Sequence, residues 1–247
     1  MGGALKQGWE TAKAPFEVVV IEPSNLAYLP DLKSLPDDYT PDLVIFAVKP
    51  QMLPNILPSY KHFSAKGCLF LSIAAGVTLD YYHKILGEEA HVIRAMPNLP
   101  VTVGQGMAVL VTRSLLSEKQ RALGAAVFDV SGKAMWLDKE SLIDVVTAIS
   151  GSGPAYFFRL IECLAAAGVA NGLLPEAAMF LARQTAVGAG AMLDQFPGTA
   201  TELRVRVTSP GGTTAAALSA FDENGGLAKL ALTAVRAAIH RAQELSQ

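Results

Sequence analysis

The segment Asp42–Pro50, with the sequence DLVIFAVKP, gives the strongest indication of the fold. Its apolar run from Leu43 to Val48 has no alternating polar residues, which is typical of a strand covered on both faces. Lys49 and Pro50 then stop the strand, because proline cannot donate to a hydrogen-bonded ladder. The segment therefore predicts a buried strand of a parallel sheet that ends in a rigid turn.

Similar apolar runs occur throughout the first half of the chain, and helix-length segments separate several of them. Strand–helix–strand repetition favours a parallel sheet with right-handed crossovers. The sequence therefore predicts an α/β domain with a Rossmann-like, doubly wound sheet. Its further predicted strands are Glu17–Ile21, Cys68–Ile73, His91–Met96, Gly106–Val111 and a possible edge strand at Ala134–Leu137, and its predicted helices include Gln51–Phe63 and Thr78–Leu86.

The second half of the chain has a different pattern. From about Ser141 no strand pattern remains, and helical segments follow one another with Pro175 at one start and Asn224-Gly225-Gly226 at one break. Gly188 and Gly190 lie inside a helical pattern, where each costs roughly 1 kcal/mol relative to alanine unless close packing compensates. This indicates helices in tight contact, for example across a subunit interface. We predict two domains, residues 1–137 and residues 138–247, of which the second is all-helical.

Composition limits the class of partner. A net charge of −2 and a pI near 6.1 give no general attraction to nucleic acid. The chain start has no signal-peptide pattern, and Arg159 and Glu162 interrupt the most apolar helix, Ala155–Ala170, so we predict no membrane span and a cytoplasmic location. Cys68 and Cys163 are predicted to be buried free thiols. The four histidines lack metal-ligand spacing, so no metal site is predicted.

The start of the chain has features of a dinucleotide-binding turn. Met1-Gly2-Gly3 precedes the helical segment Ala4–Thr11. In such units a glycine-rich turn places the helix N-terminus against a pyrophosphate. The strand that normally precedes this turn is missing, so we expect a truncated or misassigned start. A flexible N-terminus without a binding role is the alternative.

Three more turns follow predicted strands and share one edge of the predicted sheet. Ala47–Pro50 offers a cation, Ala74-Ala75-Gly76 offers small residues that a flat ring can approach, and Met96–Pro100 contains two prolines. Ligands of open α/β sheets bind outside the carboxyl ends of the strands. This edge is therefore predicted to bind a nicotinamide cofactor. Glu22 favours NAD, whereas Ser24 can donate to the extra phosphate of NADP, so the cofactor preference stays open.

The stretch Val207–Thr214, with the sequence VTSPGGTT, precedes helical residues that begin at Ala215. Hydroxyl groups and glycines before a helix leave unpaired amides at the positive end of the helix dipole. Such a turn suits a small anion, most naturally a carboxylate. A simple N-cap is the alternative, but four hydroxyls and two glycines exceed what capping requires. A second Gly-Ser turn, Ser150–Tyr156, is a candidate hinge or a second wall of the same cleft.

Taken in order, these segments resemble the pyrroline-5-carboxylate reductases, which close proline biosynthesis. The resemblance is most specific in Ala47–Pro50, Met96–Pro100, Ser150–Tyr156 and Val207–Thr214. It implies an NADPH-dependent oxidoreductase, with NADH possible, that reduces 1-pyrroline-5-carboxylate to L-proline. It also implies a helical dimerisation domain that interlocks with a second subunit, in a homodimer or a ring of dimers.

The resemblance further assigns roles to individual residues. Thr214 is implied as the catalytic hydrogen-bond partner of the substrate's ring nitrogen. Arg206 matches a substrate-proximal position, where arginine is an unusual residue. The residues implied to bind substrate are Ser209, Gly211, Gly212, Thr213, Thr214 and Glu140, and those implied to bind the cofactor are Met1, Gly2, Ser24, Ala47, Val48, Lys49, Pro50, Ala74, Ala75 and Asn98.

The resemblance fails at the start of the chain, and two other functions are kept. Family members carry a strand and a Gly-x-Gly-x turn immediately before the residue that matches Met1. A truncated pseudoenzyme, serving as a dimeric assembly partner with weak cofactor binding, is therefore one alternative. A β-hydroxyacid dehydrogenase is the other, because it shares this architecture. Such enzymes generally use a lysine on the first helix of the second domain, and Ser150–Tyr156 supplies none.

Overall fold

The computed structural model describes residues 1–245 of the 247-residue chain. These residues form two compact units, one of Met1–Ser152 together with the C-terminal residues from Ala238, and the other of Gly153–Ala237. Residues 138–152 therefore lie in the same unit as the sheet, although the sequence-based boundary places them in the helical domain. The division into a cofactor-binding domain that ends at Leu137 and a substrate-binding domain that follows it stays a prediction.

The first unit is built on a five-stranded sheet in the order β1-β2-β3-β4-β5. The strands are β1 (Leu43–Phe46), β2 (Leu69–Ser72), β3 (His91–Pro97), β4 (Gly106–Val111) and β5 (Gly132–Leu137). The α/β, Rossmann-like fold class is confirmed, and three of the four strand pairings are parallel, but β4 runs antiparallel to β3, so the predicted parallel sheet is in fact mixed. Only the short segment 98–105 joins these two strands, and a connection of that length can link only antiparallel neighbours.

The predicted strand Glu17–Ile21 is also wrong. Within it only Ile21 forms an isolated bridge, with Leu29, and Val18 and Val19 are each 40% exposed. A strand needs a neighbouring ladder for its amide and carbonyl groups. Among the described residues, β1 pairs only with β2, and residues 17–21 form no ladder with its free outer edge.

Helices cover both faces of the sheet, as the unbroken apolar runs predict. The helices are α1 (Gly2–Thr11), α2 (Leu53–Ser64), α3 (Leu79–Leu86), α4 (Glu118–Asp129), α5 (Ile143–Val146), α6 (Gly153–Ala170), α7 (Pro175–Gln195), α8 (Ala200–Arg206), α9 (Thr213–Asp222) and α10 (Gly226–Leu245). Helices α2 and α3 bury Leu57 and Tyr82 against Phe70 of β2. On the other face, Trp9 of α1 packs in a cluster with Leu71 and donates its indole N–H to the carbonyl of Val127 (2.8 Å).

The helix boundaries follow from side-chain caps and from backbone geometry. Thr78 caps α3 by accepting a hydrogen bond from the amide of Tyr81, and Ser117 opens α4 with a reciprocal capping box. Pro175 begins α7, as predicted, because a proline costs no amide bond at this position. Asn224 adopts a left-handed backbone conformation (φ 55°) and separates α9 from α10.

The helical unit buries few of its own side chains. Its buried hydrophobic residues are Ala165, Ala178, Ala182 and Leu203. Large side chains on α6 and α7 face outward instead, including Phe157 (67% exposed) and Phe180 (69% exposed). Four small or medium side chains cannot offset the conformational entropy of a unit of this length. The helical unit therefore exposes much of its apolar surface.

The two cysteines differ in environment. Cys68, next to β2, is buried, and this burial raises the pKa of its thiol to about 12, so it stays protonated and unreactive. Cys163 is exposed on α6, which contradicts the prediction of two buried thiols. The difference arises because no described residue covers this face of α6.

One helical stretch of the described chain, Glu140–Ala170, is long and apolar enough to cross a membrane by length and composition alone. Only 11% of its most apolar window is buried. The prediction against a membrane span rests on Arg159 and Glu162, which form an exposed ion pair (2.8 Å) within this stretch. The absence of a membrane span stays a prediction.

Candidate active site

The carboxyl ends of three strands meet at one edge of the sheet. Strands β1, β2 and β3 run parallel and in register, with Phe46 opposite Ser72 and Ser72 opposite Arg94. The turns that follow them therefore leave the sheet on the same side. This geometry brings together the predicted cofactor residues Ala47, Val48, Lys49, Pro50, Ala74, Ala75 and Asn98.

The N-terminus of α1 lies against this edge. A Cβ atom placed on Gly2 would lie 2.8 Å from the Cβ of Ala47, so only glycine allows the first turn of α1 to come this close to the end of β1. Leu5, one turn later, is fully buried and fixes the helix on the sheet. The free amides at the start of a helix bind phosphate groups. Met1 and Gly2 thus join the other predicted cofactor residues.

The close approach of Gly2 gives a test with a matched control. Gly2→Ala is expected to displace the start of α1, lower stability by about 1–3 kcal/mol as overpacking does, and weaken NADPH binding. Gly3→Ala is the control, because a Cβ there meets no atom within 4 Å. Thermal unfolding and NADPH fluorescence titration on both variants check this. Equal NADPH affinities for the two variants would contradict a phosphate-binding role for this approach.

The turn after β2 is held by hydroxyl groups. The amide of Ala74 donates to the Ser72 hydroxyl oxygen (3.2 Å), and that hydroxyl pairs with the hydroxyl of Tyr82 (2.5 Å). Gly76 has a positive φ of 77°, which turns the chain back toward α3. Ala75 and Lys49 are exposed at the same edge. The turn thus presents a small side chain and backbone, as a flat ring would require.

Asn98 has a structural set of partners. Its side-chain oxygen accepts from the amide of Met107 (2.8 Å), and its amide nitrogen donates to the carbonyl oxygen (3.2 Å) and the hydroxyl (3.3 Å) of Ser150. It therefore ties the end of β3 to β4 and to a π-helical turn at Thr147–Gly151. Its backbone is also paired, since its amide donates to the carbonyl of Met107 (3.1 Å) and its carbonyl accepts from the amide of Val101 (3.3 Å). Cofactor contact by Asn98 stays a prediction.

Glu140, a predicted substrate residue, bridges two elements of the first unit. Its Oε1 accepts from the guanidinium of Arg94 (2.7 Å) and from the amide of Leu79 at the start of α3 (2.8 Å). Arg94 itself is 7% exposed. Arg94 is not among the predicted site residues, although an arginine inside the apolar run His91–Met96 is a signal for a buried ion pair.

Ser24 lies in an exposed turn after the isolated bridge at Ile21. Its hydroxyl donates to Glu22 Oε1 (2.8 Å), as does its amide (3.2 Å), and these bonds lower the pKa of the Glu22 carboxyl. The carboxylate is therefore ionised at neutral pH and holds the donors that a 2′-phosphate would need. A cofactor role for Ser24 stays a prediction.

In the helical unit, the hydroxyl-rich stretch opens α9. Gly211 has φ 70°, and Gly212 is the N-cap residue, which has no side-chain cap. The amide of Gly212 donates to the carbonyl of Ser209 (3.0 Å), and the amides of Thr213 and Thr214, at the start of α9, have no acceptor among the described residues. Among the described residues, the hydroxyls of Ser209, Thr213 and Thr214 make no hydrogen bond. The alternative in which a serine or threonine side chain caps the helix is therefore not observed at α9.

Other polar groups near the stretch have local partners. The guanidinium of Arg206 lies over the ring of Phe196, 5.3 Å from its centroid. The Thr208 hydroxyl donates to the carbonyl of Arg204 (2.6 Å). Within residues 1–245, the structure contains no group of three or more His, Cys, Asp or Glu side chains that could hold a metal ion.

Comparisons with known proteins agree on one family. The model of the pyrroline-5-carboxylate reductase dimerisation domain matches residues 140–245. A pyrroline-5-carboxylate reductase from Pseudomonas aeruginosa is 40% identical over 206 residues, 83% of this chain and 75% of that protein. The solved enzyme from Coxiella burnetii is 37% identical with a TM-score of 0.79, over 83% of this chain and 76% of that one. The Plasmodium falciparum pyrroline carboxylate reductase, solved with NADP bound, is 28% identical with a TM-score of 0.76. The match covers 100% of this chain and 96% of that one.

Proposed function

Because the chain belongs to the pyrroline-5-carboxylate reductase family, we propose that it reduces 1-pyrroline-5-carboxylate to L-proline with a nicotinamide cofactor. The unpaired amides and hydroxyls at the start of α9 carry this proposal, because they form an anion site that no described side chain fills. The cofactor edge supports it independently. There a Cβ on Gly2 would lie 2.8 Å from the Cβ of Ala47, so the first turn of α1, whose free amides can bind a phosphate, lies close to the end of β1.

The residues of the chain divide the chemistry between binding and orientation. The nicotinamide supplies a hydride, which adds to the imine carbon while the C=N bond becomes a C–N single bond. A protonated imine already carries the charge that makes it electrophilic, so the protein need not supply a strong acid. Thr214 is proposed to orient the ring nitrogen by a hydrogen bond, and the amides of Thr213 and Thr214 to hold the carboxylate.

The nicotinamide edge is proposed to orient the cofactor. Lys49 can pair with its phosphates, and the small Ala74–Ala75 segment lets the ring lie against backbone. NADPH is proposed as the preferred form, with NADH as a second donor. Glu22 opposes NADPH by its charge, so cofactor choice depends on whether Ser24 releases Glu22 and donates to the 2′-phosphate.

A direct assay tests the proposed function. Purified protein is incubated with 1-pyrroline-5-carboxylate and either NADPH or NADH, and both cofactor oxidation and proline formation are followed. We expect proline in equal amount to the oxidised cofactor. Oxidation without proline, or no turnover with either cofactor, would contradict the proposal. The β-hydroxyacid dehydrogenase alternative predicts turnover of a hydroxyacid instead, but α6 contains no lysine.

The assembly-partner alternative has one observation in its favour. The outer edge of β1 is unpaired among the described residues, and Glu17–Ile21 does not form the adjacent ladder. A cofactor site beside this unpaired strand edge would bind the cofactor weakly. NADPH and NADH titration separates the two functions, because an assembly partner would show no binding at millimolar cofactor. As part of the proposed reductase function, we also propose that the chain forms a homodimer or a ring of dimers. It is further proposed to lie in the cytoplasm and to bind neither nucleic acid nor membranes.

A further inference from the structure

Four side chains of the first unit form a polar cluster under the turn that follows β2. Ser72 and Arg94 are opposite each other on β2 and β3, so their side chains share one face of the sheet. Tyr82 reaches this face from α3, and Glu140 reaches it from the segment after β5. We call Ser72, Tyr82, Arg94 and Glu140 the turn clamp, and residues 73–78 the Ala74 turn.

The turn clamp holds both ends of the Ala74 turn. At the start, the Ser72 hydroxyl oxygen accepts from the amide of Ala74 (3.2 Å). At the end, Glu140 Oε1 accepts from the amide of Leu79 (2.8 Å), the first residue of α3. The turn between these two bonds contains the left-handed Gly76 and makes no other side-chain hydrogen bond within the described chain except the Thr78 cap.

The other two members keep these acceptors in place. Tyr82 bonds to the Ser72 hydroxyl at 2.5 Å and is fully buried. Arg94 donates to the same Glu140 oxygen at 2.7 Å. Arg94 is the only lysine, arginine or carboxylate residue buried among the described residues. Burying a cation is costly unless it is paired, so the Arg94–Glu140 pair has to be explained by more than stability.

The position of the cluster supplies that explanation. Its hydrogen bonds end on the backbone at the two ends of the turn whose exposed Ala75 lies at the predicted nicotinamide edge, while Ala74 is buried in the core. We propose that the turn clamp consists of positioning residues that hold the Ala74 turn in the conformation that supports the nicotinamide. This proposal rests on the proposed function, and it assigns Glu140 to the turn and not to the substrate.

Conservative variants separate positioning from mere folding. Glu140→Gln keeps an oxygen acceptor but leaves the buried Arg94 without a negative partner, and Tyr82→Phe removes only the hydroxyl. Small displacements of reacting groups are expensive, so we expect hydride transfer in single turnovers to slow about 10- to 100-fold in each variant. The KM for pyrroline-5-carboxylate is expected to stay unchanged, and the Kd of NADPH to rise.

Two control variants match these changes. Glu88→Gln removes the charge from an exposed carboxylate that pairs with Arg113 at 2.6 Å. Tyr81→Phe removes a hydroxyl that has no hydrogen-bond partner among the described residues. Both are expected to behave like the unsubstituted chain in hydride transfer, in NADPH binding and in thermal unfolding.

Amide hydrogen exchange of the cofactor-free protein provides a readout that needs no activity. The amides of Ala74 and Leu79 are expected to exchange faster in Glu140→Gln and Tyr82→Phe than in the two controls. Unchanged exchange, or faster exchange with unchanged hydride transfer and NADPH affinity, would overturn the proposal. So would a Glu140→Gln variant that raises only the substrate KM while Tyr82→Phe has no effect. If the unsubstituted chain forms no proline, the proposed function is wrong. Amide hydrogen exchange and the Kd of NADPH then still test the turn clamp.

Discussion

Replacing Thr213 by aspartate is expected to abolish substrate binding while leaving the fold intact or slightly more stable. Thr213 is the first residue of α9, and its N-cap Gly212 provides no side-chain cap. An aspartate there occupies the amides with its own carboxylate and repels that of the substrate. We expect kcat/KM to fall about 100- to 1000-fold, the range for removing preorganised donors from an anion. The same charge favours the helix dipole by about 0.3–1 kcal/mol.

The opposite signs of the two effects make the Thr213→Asp test specific. Thr199→Asp is the matched control, because Thr199 is the N-cap residue of α8 and aspartate can still accept from the amide of Glu202, although it loses the bond that the hydroxyl donates to Glu202 Oε2 (3.0 Å). That variant is expected to keep full activity. Steady-state kinetics and thermal unfolding of both variants are compared. A Thr213→Asp enzyme with a normal substrate KM would show that the substrate carboxylate does not bind at the start of α9.

Most of the sheet could be predicted because each strand carries its own pattern. Gly106–Val111 forms β4 over the predicted residues, and α3 begins at Leu79, one residue after the predicted start at Thr78. Glu17–Ile21 has the same β-rich composition but forms no strand, because a ladder depends on a neighbour that local sequence does not specify. The direction of β4 was predictable in principle, since segment 98–105 is too short for a crossover.

The candidate site could be predicted only in part, for a similar reason. Glycines and hydroxyls before a helix mark an anion site locally, so Gly212 and Thr213 are visible in the sequence. The partners of Glu140 are not, because Arg94 and Leu79 are 46 and 61 residues away along the chain. Asn98 was predicted as a ligand, but its amide group contacts Met107 and Ser150, which only the fold brings together.

The outward apolar surface of the helical unit indicates a second copy of the chain as its cover. The family model matched at residues 140–245 describes a dimerisation domain, and this segment contains the exposed Phe157 and Phe180. Phe180 also lines an open, mostly apolar groove on α7 together with Met179 and Val187. Obligate dimer interfaces have this apolar character.

Replacing Phe180 by glutamate is therefore expected to break the dimer. A central aromatic residue of an interface is worth about 2 kcal/mol or more, and a buried charge adds to the loss, so the dimer Kd is expected to rise about 100-fold or more. Because the helical unit buries little by itself, the variant is also expected to unfold at lower temperature and to lose activity. Sedimentation velocity over a range of concentrations measures the association.

The control for this variant is an equal change on an exposed leucine of the other unit. Leu26 is 103% exposed in the segment after the isolated bridge, so Leu26→Glu is expected to leave the dimer Kd and the thermal unfolding unchanged. Comparing the two variants separates loss of the interface from the general effect of added charge. A Phe180→Glu chain that sediments as the same dimer with the same stability would place the interface on another face of the helical unit.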